Sequence, residues 1–376
     1  MAADRGSGRM AALLHIPETV AMLPRSPEKS LDLKLARIVA DPACRDFILA
    51  DAKDADMAFG LAAPGLAVGG QPGVGPFRSI EEYRDQIREI VRERLVDIML
   101  MSASTSEVLA IEEGLFVDSA VTPAVRMNDT TDIWLAAGTG SYSRQPALPF
   151  STTTIAQARC GRVDAAHMDR ARGANLGLFS LTLNDDAAHD RAMLTAYRDF
   201  RIEAERTGFR HFLEVFFPNA LDRIPGKAAG EKPQDIARFL ADHVVRSLAG
   251  VPRAGRPIFL KIPYLGPVVT EQLAAYDRSV VVGILGGGAG TTHDAFGLVA
   301  EAKRHGARVA LFGRKINAAE HQLSFVRILR LVADGDCAAD DGVRAYHGEL
   351  SKLGIRPHRS LETDLARSPT ASAYGG

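Results

Sequence analysis

Short apolar runs alternate with amphipathic segments along most of the chain. The runs occupy 47–50, 96–101, 122–127, 176–183, 211–216, 257–262, 280–285 and 307–312. They are apolar at consecutive rather than alternate positions, which is how strands buried on both faces of a parallel sheet read. Several intervening segments have helical spacing instead. Ile80, Tyr83, Ile87, Ile90 and Val91 fall on one helix face, with charges on the other. Ile236, Phe239, Leu240 and Leu248 form a second stripe, after Pro233 at a first turn, where proline's missing amide costs nothing. Ser104 and Glu107 have capping-box spacing for a helix after the second run. No strong hairpin signature joins any pair of runs.

Eight strands separated largely by helices predict a (β/α)8 TIM barrel, a fold of about 250 residues before insertions. It is expected over 46–335, preceded by an N-terminal arm (1–45) packed outside the main body. A C-terminal helical extension (336–376) follows, fraying from Pro357 onward. A doubly wound open sheet is the competing arrangement, but its glycine loop belongs to the first βαβ unit. Here the glycine-rich stretch Gly286-Gly287-Gly288-Ala289-Gly290-Thr291-Thr292 follows the seventh run, and barrels commonly build a phosphate site from the loops after strands seven and eight. The connection 130–172, which contains Trp134, reads as long and irregular.

Composition narrows the function class. The 376 residues carry 24% charged side chains and a formal net charge of -1, which gives no global electrostatic case for nucleic acid or an anionic membrane surface. The expected partner is a small molecule. Cys44, Cys160 and Cys337 are odd in number and far apart, so neither a disulfide framework nor a zinc knuckle is expected, and a reducing cytoplasm is the default location. The uncharged stretch 57–77 is interrupted by Pro64, Pro72 and Pro76 and cannot be a spanning helix. His211, His293, His321 and His347 form no metal-binding pattern, so no metal and no cofactor are expected.

Polar chemistry gathers where the strands end, and parallel strands share one carboxyl-terminal rim. Lys261 closes the sixth run. Among apolar neighbours a lysine either takes an ion-pair partner or becomes a neutral amine able to attack a carbonyl. Glu214 interrupts the fifth run between Phe212 and Phe216, as the partner of Lys261 or as a general acid/base. Asp51, just past the first run, is a candidate catalytic carboxylate that orients or assists, and Arg126, at the end of the third, is a candidate substrate or phosphate ligand. Gly286, Gly287 and Gly288, leading into a helix start, read as an anion cradle, with Gly313 and Arg314 after the eighth strand as its clamp.

The blocks Phe259-Leu260-Lys261-Ile262-Pro263-Tyr264, Val282-Gly283-Ile284-Leu285-Gly286-Gly287-Gly288 and Ala310-Leu311-Phe312-Gly313-Arg314-Lys315-Ile316-Asn317 resemble the class I aldolase superfamily. That group includes the deoxyribose-phosphate, tagatose-bisphosphate and archaeal-type fructose-bisphosphate aldolases. The resemblance spans roughly 46–335. It implies that Lys261 forms a Schiff base, that Gly287, Gly288 and Arg314 hold substrate phosphate, and that Glu214 and Asp51 match a glutamate and an aspartate of the tagatose-bisphosphate branch. It also implies a homo-oligomer. The fifth strand lacks the tyrosine of the archaeal-type enzymes, and the seventh lacks the second lysine of the deoxyribose-phosphate enzymes. The expected activity is aldol cleavage or condensation of a phosphorylated ketose or related keto compound. A phosphosugar isomerase or epimerase with Glu214 as base, or a non-catalytic phosphosugar-binding barrel, would use the same residues.

Overall fold

A computed structural model describes residues 27–71, 74–136, 144–164, 172–220, 233–287 and 290–368 of the chain. The eight apolar runs become parallel strands β1 (Ile48–Lys53), β2 (Ile98–Met101), β3 (Thr122–Arg126), β4 (Leu176–Thr182), β5 (Arg210–Phe216), β6 (Leu260–Lys261), β7 (Gly283–Leu285) and β8 (Val309–Phe312). Their hydrogen-bonded order is β6-β5-β4-β3-β2-β1-β8-β7. The ring closes between β6 and β7, where Ile262 pairs with Ile284 and the Ile262 amide donates to the Gly283 carbonyl at 3.0 Å. Helices surround this ring, so the fold is a (β/α)8 barrel with extensions at both ends.

The strands are largely apolar on both faces because each face has its own core. Ala50, Leu100, Ala124, Leu178, Phe212, Phe259, Val309 and Leu311 pack together inside the barrel. The Phe212 and Phe259 rings stack there with centroids 4.6 Å apart, a geometry worth about 1 kcal/mol beyond area burial. Leu49, Met99, Val125, Leu213, Ile284 and Phe312 instead meet the surrounding helices. The helix Ile80–Arg92 buries Tyr83, Ile87, Ile90 and Val91 of its expected stripe, while Ile80 at its first turn is exposed, and Ser79 with Glu82 forms its capping box.

Several expectations need correction. The N-terminal arm contributes to the barrel core: Leu31, on the helix Ser30–Ala40, is fully buried in the inner cluster with Leu35 and Ile38 packed against it. Lys29 fastens this arm by donating to the carbonyls of Phe116 and Ser119 at 2.7 and 2.6 Å. No Ser104–Glu107 capping box forms, because Ser104 lies inside the helix Ala103–Ser106. The described residues of the connection after β3 include helices Thr131–Ala136 and Ile155–Cys160 and a two-stranded pairing of Asp129–Thr130 with Pro149–Phe150. A second small hairpin joins Leu66–Gln71 to Gly75–Phe77. The C-terminal segment is folded against the barrel through Asp364 and Ser368 rather than frayed from Pro357. Its helix Leu361–Leu365 packs on the body, with Asp364 buried, while the rest of the expected frayed tail, 369–376, lies outside the described residues. Among the described residues no helix is long and apolar enough to cross a membrane.

Candidate functional site

Three polar residues form a row across the inner face of the barrel. Ser180 is the ladder partner of Glu214, and Glu214 is the ladder partner of Lys261. In-register residues of neighbouring strands point to the same side, so β4, β5 and β6 present a hydroxyl, a carboxylate and an ammonium together. Lys261 Nζ lies 2.6 Å from Glu214 Oε1, with the lysine 6% exposed and the glutamate 1%. The Ser180 hydroxyl donates to Glu214 Oε2 at 2.7 Å. Asn128 fixes Ser180 in turn, accepting from its amide at 2.6 Å and donating to its carbonyl at 2.9 Å.

Arg126, at the end of β3, completes the cluster. Its Nη1 is 3.6 Å from Glu214 Oε2 and donates to Asp54 Oδ2 at 2.9 Å, and its Nη2 reaches the Ser180 hydroxyl at 3.2 Å and Asp129 at 3.4 Å. Burial opposes the charged guanidinium, but the carboxylates of Asp54, Asp129 and Glu214 outweigh that penalty and hold its pKa above the ordinary value. Burial raises the carboxyls of Asp129 and Asp132 above the usual range. Asp132 accepts from the hydroxyl of Thr182, the last residue of β4, at 3.0 Å.

Asp51 does not join this cluster. Its ladder neighbours are Met99 and Phe312, which pack on the helices, whereas Ala50 and Ala52 face the barrel interior. Asp51 is therefore sealed beneath the helix layer, 3.4 Å from the ammonium of Lys53, and burial pushes its carboxyl up to about 6 despite that partner. Lys53 also donates to Asn317 Oδ1 and, at 2.7 Å, to Gln322 Oε1. The acid that the first strand contributes on the Lys261 side is Asp54. It lies one residue past the end of β1, which runs through Lys53 and continues beyond the expected end at Ala50.

The glycines divide by role. A Cβ at Gly286 would lie 2.2 Å from the Phe312 ring, and one at Gly313 would lie 2.3 Å from the Ala52 carbonyl oxygen, so both are required by close packing. A Cβ at Gly287 would meet nothing within 4 Å among the described residues. Gly288 lies outside the described residues. Arg314, half-buried just after β8, sets its guanidinium 5.5 Å from the centroid of the Phe59 ring.

The helix Thr292–Arg304 that follows the glycine loop has its start supplied by the chain itself. Thr291 and Asp294 form a capping box, and the Thr292 amide donates to Asp364 Oδ1 of the C-terminal segment at 2.8 Å. A carboxylate thus sits where the sequence pattern predicts a phosphate at that helix start. Its other oxygen meets His347 Nε2 at 3.0 Å. Nearby Lys315 donates to the Gly290 carbonyl at 2.7 Å, and burial, reinforced by Arg359, lowers its pKa to about 8.

Sequence reasoning passed over Asp54, Ser180, Asn128 and Asp132. Ser180 had a readable signal, a polar residue inside an apolar run, as at Glu214. The scattered histidines have side-chain partners of their own: His211 meets Tyr197, His293 meets Asp340 and His321 meets Ser324.

No protein-family model and no curated protein matches the chain. Solved structures do. An archaeal fructose 1,6-bisphosphate aldolase superposes with TM-score 0.55 at 17% identity, over 81% of this chain and 99% of that one. The fructose-bisphosphate aldolase of Slackia heliotrinireducens DSM 20476 gives 0.57 at 13%, over 84% and 90%. An archaeal fructose-1,6-bisphosphate aldolase with its catalytic lysine covalently bound to the carbinolamine intermediate gives 0.54 at 17%, over 81% and 100%. The likeness is one of fold. At these identities it supports the (β/α)8 barrel and assigns no reaction.

Proposed function

We propose that the protein is a carbon-carbon lyase of the Schiff-base type, acting on a phosphorylated ketose or related keto compound through Lys261. The observation that carries this reading is the 2.6 Å contact between Lys261 Nζ and Glu214 Oε1 on the inner face of the barrel. A lysine nucleophile must first lose a proton, and Glu214 is within range to take it. The free amine then adds to the substrate carbonyl to give a carbinolamine. Glu214 returns the proton to the carbinolamine hydroxyl, water leaves, and an iminium forms.

The iminium draws the electron pair of the adjacent carbon-carbon bond as it breaks, while a base removes the proton of the hydroxyl on the far carbon. That carbon becomes the carbonyl of the first product, and an enamine is left on Lys261. Protonation of the resulting enamine and hydrolysis release the second product and restore the amine. Ser180 and Arg126 hold the second carboxylate oxygen of Glu214, which keeps the first aimed at Lys261. Phosphate is proposed to lie against Gly287 and Arg314, with Gly286 and Gly313 shaping the loops behind them. Arg126 is already engaged by Asp54 and Asp129, so its proposed part is to position Glu214.

The ion pair also suits a second reading, an isomerase in which Glu214 is the base and Lys261 only its counter-charge. Borohydride reduction in the presence of substrate separates the two, because only the lyase mechanism leaves a reducible bond on Lys261.

A further inference from the structure

A polar hollow of about 350 Å3 opens beside Arg126, framed by the loops after β1 and β2 and by the segment 152–161. It borders the proposed reaction centre across Arg126, which lines it and stands 3.6 Å from Glu214. In the strand order, β2 and β3 lie across the barrel mouth from β6 and β7. A substrate with its carbonyl at Lys261 and its phosphate against the loops after β7 and β8 would therefore direct its other end into this hollow.

The lining chemistry selects what that end can be. Asp56 and Glu107 supply carboxylates, and Ser102, Ser104 and Thr153 supply hydroxyls. The Ser102 hydroxyl donates to Asp56 Oδ2 at 2.6 Å, leaving Asp56 Oδ1 buried without a hydrogen-bond partner among the described residues. Among the described residues that line the hollow, Arg126 is the one cation, and its guanidinium already meets Asp54 at 2.9 Å and Asp129 at 3.4 Å. A phosphate here would face two carboxylates across from a cation committed elsewhere. A sugar hydroxyl could donate to the unpartnered oxygen of Asp56 and exchange hydrogen bonds with the serine and threonine hydroxyls.

We infer that this hollow receives the hydroxyl-bearing, unphosphorylated end of a linear ketose phosphate, so that the substrate carries one phosphate, at the end held by the β7 and β8 loops. The orientation rests on the Schiff-base reading; the exclusion of a second phosphate rests on the hollow itself.

The test compares a ketohexose 1-phosphate with its 1,6-bisphosphate in the full chain. Borohydride-trapped adduct on Lys261 should form with the monophosphate about tenfold faster at equal subsaturating concentration. In the Asp56→Asn, Glu107→Gln double variant the preference should shrink to about threefold or less, through faster reaction of the bisphosphate. Equal trapping of the two ligands in the wild type, or a preference unchanged in the double variant, overturns the inference while leaving the lyase reading in place.

A second measurement does not depend on the lysine. In Lys261→Arg, the monophosphate should raise Tm more than the bisphosphate does, and the double substitution should remove that difference. A larger shift with the bisphosphate, equal shifts, or no shift with either ligand overturns the inference about the hollow. Absence of any Lys261 adduct, with these Tm differences retained, overturns the lyase reading alone.

Discussion

Glu214 and Lys261 are direct ladder partners on β5 and β6, and their charged atoms meet at 2.6 Å inside the barrel. A buried pair of this kind is costly to break from one side, because the remaining charge keeps its desolvation penalty without compensation.

Glu214→Ala should therefore lower unfolding stability by about 3 kcal/mol or more. Replacing both members, with Lys261→Met and Glu214→Leu, should cost less than Glu214→Ala alone, since Arg126 keeps Asp54 and Asp129. Urea denaturation of the two variants measures this. A double variant that costs as much as Glu214→Ala, or more, would mean that the pair is not coupled in this way.

Asp51 and Lys53 make the opposite functional prediction. Lys53→Met strands a buried carboxylate and should cost about 3 kcal/mol, yet borohydride trapping at Lys261 should persist in the folded variant. Loss of trapping in a variant that retains the wild-type circular dichroism spectrum would return Asp51 to the reaction centre.

His211 should make the fold acid-sensitive. Burial first, and Arg201 second, lower its pKa from 6.5 to about 3, and its ring nitrogen meets the buried Tyr197 hydroxyl at 3.0 Å. Between these values the unfolded chain binds a proton that the folded chain refuses, so stability falls as pH falls from about 6.5, by up to about 1.4 kcal/mol per pH unit. Comparing the slope of unfolding free energy between about pH 4.5 and pH 6.5 in wild type and His211→Leu isolates this contribution. The variant should have the shallower slope; an unchanged slope would show that His211 is not held neutral.

Arg314→Ala should weaken phosphorylated ligands by about 1.5 to 3 kcal/mol, the scale of a charge-assisted hydrogen bond, and leave unphosphorylated analogues unaffected. Calorimetric titration with a matched pair of ligands reads both effects. Equal losses for the pair would place the phosphate elsewhere.

The barrel was legible because its strands are short, consecutively apolar and separated by helical stripes. Lys261 and Glu214 stood out for the same reason, as charges inside such runs. The same two-sided apolarity hid the facing of Asp51: when both faces of a strand are buried, no alternation tells inside from outside. A strand end placed at Ala50, when β1 runs on to Lys53, turned attention to Asp51 and away from Asp54.

The C-terminal segment was misread because it is polar and short. Asp364 is held by the Thr292 amide, 72 positions earlier, and by His347, contacts that no local pattern announces. The arm around Leu31 was likewise invisible as a core element, since its partners are distant strands.

The central claim concerns one bond, between Lys261 Nζ and a substrate carbonyl carbon. Incubation with phosphorylated ketoses followed by borohydride reduction and peptide mass spectrometry should place a covalent adduct on Lys261. Lys261→Arg should abolish both adduct and turnover while retaining the fold. Glu214→Gln should still form the adduct, more slowly. Turnover without a trapped lysine, or an adduct on Lys53 or Lys315 instead, would contradict the account.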